Sequence, residues 1–123
     1  MILKPKILPY LAPQLTLLTA TVLADVFKRV VRVEPQIKWP NDLLINDQKV
    51  AGILTEMQAE QDQIQYIIVG IGINVNHHRK DLPKQSAYET TSLLIETMQE
   101  WSLISLIQQI LQSFEEQYTA YLE

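Results

Sequence analysis

Cysteine is absent from the 123 residues, so disulfides, thiolate metal sites and cysteine nucleophiles are excluded, and the chain fits a reducing, cytoplasmic setting. Glycine is almost as scarce. Three glycines against a hydrophobic content of 47% argue for an ordered globular segment and against disorder. Positive charge is short as well: ten Lys and Arg face fourteen Asp and Glu, a net charge of −4 that offers no field to draw in nucleic acid or an anionic membrane. Any anion bound here must be held locally. No uninterrupted apolar run approaches the roughly 20 residues of a membrane span, and Met1-Ile2-Leu3-Lys4-Pro5 is not a signal peptide. Internal repeats and low-complexity tracts are lacking too. A chain of this length is one domain at most, able to bury about two-thirds of its unfolded surface if it folds alone.

What is present divides into helix, strands and helix. Met1 to Leu3 reads as the tail of a strand whose earlier residues lie outside the chain. Leu15, Leu18, Val22, Val26 and Val30 recur at three- and four-residue steps, which predicts a helix over about 13–30. Lys28, Arg29 and Arg32 sit near its end, where the helix dipole favours cations. Extended runs are expected at 37, 43–45, 50–55 and 65–75, separated by turns at 40–42, 46–48 and 58–63 short enough to make neighbours antiparallel. Residues 76–90 are polar, carry Pro83 and read as loop. A short helix is expected over 91–99, and Ser102 can cap a last helix along which Leu103, Ile107, Ile110, Phe114, Tyr118 and Tyr121 repeat at helical spacing. The fold class is α+β, a mostly antiparallel sheet packed by helices.

Candidate chemistry concentrates in residues 38–74. Pro40 supplies no N–H and pushes Trp39 towards an extended conformation, so Lys38 should end a strand at an edge. Asn41 and Asp42 then stand on the turn. Together with Lys38 they offer an amide, a carboxylate and an ammonium, as a magnesium-bound polyphosphate or an adenosine would require, although an Asx turn beside a solvated lysine fits equally. Lys49 opens the next strand. If the preceding loop is even, the two-residue period puts Lys49, Ala51 and Ile53 on the face of Asp42 and Leu44, where an ammonium could neutralise a phosphate, whereas an odd loop would turn Lys49 to the opposite face; the alternative is an ordinary lysine blunting a sheet edge.

Gly52, Gly70 and Gly72 lie inside strands, where glycine weakens pairing unless something approaches the backbone closely. A bulge or tight packing is the alternative. The pair at 70 and 72 begins a dinucleotide fingerprint, but Val75 stands where its third glycine belongs and no helix follows promptly, so that reading is rejected. A flat ligand slot with Asn74 at its end is preferred. His77-His78 lacks a third ligand at metal spacing and reads as solvent-exposed.

Lys38-Trp39-Pro40-Asn41-Asp42, Lys49-Val50-Ala51-Gly52-Ile53-Leu54 and Gly70-Ile71-Gly72-Ile73-Asn74 together resemble, in order, spacing and identity, the central block of the biotin protein ligases, the biotin–[acetyl-CoA-carboxylase] ligases of bacteria. The resemblance implies a class II synthetase-like catalytic domain. It implies that biotin and Mg-ATP form biotinyl-5′-adenylate and pyrophosphate, and that biotin then passes to a lysine of a biotin carboxyl carrier domain. It implies Lys49 as the catalytic lysine between biotin carboxylate and phosphate. Gly52, Leu54, Gly70 and Gly72 would belong with Lys49 to the biotin slot, and Lys38, Asn41, Asp42 and Asn74 to the nucleotide site, with Asp42 towards Mg2+.

Residues 1–123 correspond to the later part of such a domain. The glycine- and arginine-rich loop that closes over the ligands in this family, and its C-terminal barrel, have no counterpart here, nor does any DNA-binding region. The chain alone is therefore expected to form little adenylate and to leave apolar surface open. A homodimer through the sheet edge between Val50 and Glu56 is a further expectation. The alternatives are a lipoate- or octanoate-type acyl-adenylate ligase, against which Lys38-Trp39-Pro40-Asn41-Asp42 counts, and a non-catalytic module of the same fold.

Overall fold

The computed structural model describes residues 1–83 and 89–123; the loop expected over 76–90 falls partly outside them. A 3-10 turn at Pro9–Leu11 leads into helix α1, Pro13–Val26, which runs on through one wider π-type stretch, Phe27–Val31, and stops at Arg32 in the left-handed conformation, φ 65°. Strands β1 (Ile2–Leu3), β2 (Gln36–Lys38), β3 (Asp42–Ile45), β4 (Gln48–Glu60) and β5 (Gln63–Ile73) make one sheet in the order β1-β5-β4-β3-β2 with every pair antiparallel. Helices α2 (Leu93–Thr97) and α3 (Leu103–Leu122) follow, capped by the hydroxyls of Ser92 and Ser102. The α+β, antiparallel architecture agrees with the sequence reading.

One face of the sheet is covered. Leu15, Val22, Leu23, Val26 and Phe27 of the α1 segment are fully buried against Leu43, Val50, Ile53, Ile67 and Val69, and Leu106, Ile110 and Phe114 of α3 complete the same core. By length and composition alone residues 9–31 would suffice to cross a membrane, although polar residues interrupt every apolar run there. Half of that window is buried inside the fold, as a core helix requires.

Three expectations need correction. On α3 the predicted stripe holds at Ile110 and Phe114, which are buried, and at Tyr118 and Tyr121, which pack against the core, but not in the first turns, where Leu103 and Ile107 are exposed with Ile104, and Leu106 takes the buried position. The turn expected over 58–63 shrinks to Gln61-Asp62, since β4 and β5 keep pairing up to Glu60 and Gln63. The edge from Val50 to Glu56 is not free along its length: β3 pairs with β4 as far as Gly52, and the Ile53 N–H donates to the Asn41 carbonyl at 2.8 Å. Only from Leu54 onward does β4 lack a partner on that side among the described residues.

Met98 ends α2 at φ 59° with its side chain 91% exposed, so it bears the strain of a left-handed L-residue while burying almost nothing. Met98→Gly is expected to stabilise the fold by several tenths to about 1 kcal/mol, after allowing for glycine's freer unfolded state. Urea unfolding checks this; a lowered midpoint would mean that the methionine makes a contact worth more than its strain.

Candidate functional site

The register of four strands assembles a transverse row. Lys38 lies opposite Asp42, Asp42 opposite Gly52, and Gly52 opposite Gly72. Directly opposed residues share a face, as do residues two apart along a strand, so Leu54 and its partner Gly70 join them. This is the face turned away from the helices. Gly70, Gly72 and Lys38 are exposed there, and Leu54 is 64% exposed.

Lys49 reaches the row through its side chain. Its ammonium stands 3.2 Å from Asp42 Oδ1. A Cβ added to Gly52 would come within 3.2 Å of both Lys49 Cε and Nζ, so the lysine stem lies across the bare backbone of that glycine. A Cβ on Gly72 would meet nothing within 4 Å, and one on Gly70 would meet the Leu54 carbonyl at 3.5 Å and its Cβ at 4.0 Å, both ordinary contacts. The three glycines thus do separate work: one makes room for Lys49, and two keep an open floor. The Lys49–Asp42 pair is partly exposed, so its stabilisation is under about 1 kcal/mol and its consequence is aim.

The loop before Lys49 is even. Asn46 and Asp47 form a two-residue turn with both φ angles positive, 51° and 63°, the twist that a tight hairpin favours. The expected parity nevertheless fails. The ladder shifts between Leu43 and Leu44, leaving Val50 unpaired as a bulge; Lys49 keeps the Asp42 face, while Ala51 and Ile53 turn into the core.

The two asparagines are tied into the scaffold. Asn41 accepts from the Ile53 N–H through its carbonyl and donates Nδ2 to the Ile53 carbonyl at 3.1 Å, extending the β3 ladder by one residue. Asn74 donates its backbone N–H to the Val50 carbonyl at 2.9 Å and Nδ2 to the Thr91 carbonyl at 3.1 Å. His77 and His78 are exposed, as expected, and no group of three metal-ligating side chains exists among the described residues. A lone Asp42 suits a Mg2+ that keeps its waters and arrives on substrate phosphates, because that ion needs only one or two protein carboxylates.

Two features escaped sequence reasoning. An apolar groove of ≈ 570 Å³ opens beside the row, between Tyr10 and Leu17 on one side and Trp39, Leu54 and Met57 on the other. Its sequence signal was Trp39, 75% exposed between a strand-ending lysine and a proline. The second is residues 89–92, which pair with Lys49 and include the fully buried Thr91 and Ser92. The sequence reading divided them between a loop ending at 90 and a helix beginning at 91, whereas the helix begins at Leu93, and no local pattern marks their pairing with Lys49.

Gly52→Ala is expected to push the Lys49 side chain off Asp42 while changing unfolding free energy by less than about 1 kcal/mol, because the clash falls on the mobile end of a lysine. Gly72→Ala is expected to leave the pair in place. The side-chain NMR signals of Lys49 and Asp42 check both; equal movement in the two variants would mean that Gly52 does not seat the lysine.

Residues 3–74 match the model of the biotin/lipoate A/B protein ligase family. Over 122 residues the chain is 43% identical to the bifunctional ligase/repressor BirA of Bacillus subtilis, covering 99% of this chain and 38% of that protein. The fold is similar to that of a mutant biotin protein ligase from Aquifex aeolicus in complex with biotin, at a TM-score of 0.81, 27% identity, and coverage of 99% of this chain and 49% of the other. It is also similar to the Aquifex aeolicus enzyme in complex with biotin and ATP, at a TM-score of 0.74, 27% identity, and coverage of 89% and 44%. The chain spans well under half the length of the curated relative. By the match of residues 3–74, more than half of its length, the chain belongs to the biotin/lipoate A/B protein ligase family.

Proposed function

We propose that this chain contributes one wall of a biotin protein ligase site, with residues 1–123 forming the later part of the catalytic domain. The observation that carries the reading is the Lys49 ammonium, 3.2 Å from Asp42 and laid across Gly52 on an open glycine floor. In the first step a carboxylate oxygen of biotin attacks the α-phosphorus of ATP; the new acyl–phosphate bond forms as the bond to pyrophosphate breaks. In the second, the neutral amine of a carrier-domain lysine attacks the acyl carbon, and AMP leaves as the amide forms.

Neither step requires an acid–base pair in the floor. The first needs two anions brought together and the charge between them neutralised. Lys49 would supply one ammonium to both, and Lys38, two strands over, would add a second cation to the same row. Asp42 would hold Mg2+, which would supply charge neutralisation at the phosphates. Asn41 and Asn74, whose amide nitrogens are bound to backbone, would serve the nucleotide by shaping the rim. Gly70, Gly72 and Leu54 would form the slot for the biotin rings and chain, flat on one side and apolar on the other.

Relatives solved with biotin and with biotin and ATP support this ligand pair over lipoate, as does the Lys38 to Asp42 motif. A homodimer, if formed through this sheet, would use the free β4 edge beyond Leu54.

Biotin-dependent exchange of pyrophosphate into ATP tests the proposal, with the chain alone and with it joined to the preceding segment of its relatives. Exchange is expected only in the joined form, and Lys49→Ala should lower it at least about a hundredfold while Lys6→Ala leaves it unchanged. No exchange in either form would favour the non-catalytic module, and exchange driven by lipoate or octanoate would favour the lipoyl reading.

A further inference from the structure

Where β5 leaves the sheet, another segment takes its seat. β5 pairs with β4 as far as Ile73 opposite Ala51, and Asn74 donates to the Val50 carbonyl before the chain departs. One residue further along β4, the Lys49 N–H donates to the Glu89 carbonyl at 2.8 Å and the Lys49 carbonyl accepts from the Thr91 N–H at 2.8 Å, a parallel bridge centred on Thr90. Both backbone hydrogen bonds of the key lysine therefore come from residues some forty positions away.

The segment is itself pinned. Asn74 Nδ2 donates to the Thr91 carbonyl at 3.1 Å, the Leu93 N–H to the Asn74 carbonyl at 3.0 Å, Ser92 Oγ to the His77 carbonyl at 2.6 Å, and Arg79 to the Thr90 carbonyl at 2.8 Å. Thr91 and Ser92 are fully buried. Lys49 adjoins the bulge at Val50, the one break in the β3–β4 ladder, where the backbone has most freedom to tilt. Without residues 89–91 its N–H and C=O would be unpaired at that break.

We infer that residues 89–92 are a positioning strap: they fix the backbone of Lys49 beside the bulge and so set where its ammonium points, with Asn74 as the clasp that holds the strap down. Thr91 and Ser92 act on the reaction only through Lys49. The inference rests on the ligase reading for its consequence in catalysis and on hydrogen bonding alone for its structural part. Lateral freedom at Lys49 misplaces the cation between two reacting groups, and displacement on the order of 1 Å can lower a rate as much as about a hundredfold.

Thr91→Pro removes the N–H that donates to Lys49 and leaves the rest of the strap's composition intact; Ser92→Ala, which loosens the strap from His77, is the milder companion should the proline variant fail to fold. Amide hydrogen exchange is read residue by residue in the chain. Protection at Lys49 is expected to fall at least about tenfold, while that of amides in the β4–β5 ladder beyond Leu54 stays within about twofold. In the form that supports pyrophosphate exchange, kcat is expected to fall about tenfold or more with KM for ATP nearly unchanged. Unchanged protection at Lys49 in whichever variant folds overturns the strap whatever the activity. Lost protection with an unchanged kcat overturns its positioning role. Lost protection in a protein whose unmodified form catalyses no exchange would instead overturn the ligase reading and leave the strap as a structural device.

Discussion

The register in which β4 lies between β3 and β5 is the constraint on which the exposed face depends. Asp42 meets Gly52 and Gly52 meets Gly72 only in that register, and a slip of one residue would send Gly52 inward and Ile53 outward. The core enforces it: Ala51, Ile53, Val69 and Ile67 must all point at α1, and their burial against Leu15, Val22 and Phe27 makes any other pairing expose several large side chains at once. The site is thus held by packing on the face opposite to it.

Much of this was legible in the sequence because it is local or periodic. The 3.6-residue repeat located α1 to within a few residues, and the short turns at Asn46-Asp47 and Pro40 set the antiparallel order. The glycines inside strands marked the floor. What could not be read is non-local. The bulge at Val50 leaves no composition signal, yet it decides that Lys49 shares a face with Gly52 and not with Ala51. The first turns of the α3 stripe were misplaced for a related reason: Leu103, Ile104, Leu106 and Ile107 are all apolar, so periodicity alone allows more than one face to be buried, and contact with α1 chooses Leu106. The pairing of Glu89 and Thr91 with Lys49 spans some forty residues and lay beyond any window.

Both outer surfaces keep apolar groups. Ile2, Leu54, Tyr66 and Ile68 are exposed on the open face of the sheet, and Leu103, Ile104, Ile107 and Leu111 on α3. Single exposed leucines are ordinary, whereas clusters of this kind mark surfaces that contact something. On the sheet the cluster borders the glycine floor, so an apolar ligand portion and a covering segment could both be accommodated beside the charged row.

The electrostatics of that row reconcile a chain of net charge −4 with the anion site proposed for it. At ionic strengths near those of a cell the field of a distant carboxylate is damped within about 8 Å, so the charges that matter to a ligand are those in the row itself. There two lysines flank one aspartate: Lys38 is opposite it in register and Lys49 touches it, a local excess of one positive charge. The aspartate holds Lys49 extended across Gly52. A polyanion bound there, as proposed, would meet cations already in place and would need to displace only a partly exposed ion pair, whose strength is slight. A deeper, stronger pair would hold the lysine better and release it worse. On the reading proposed above, the half-exposed geometry is a compromise for a lysine that is aimed by one carboxylate and then used by another.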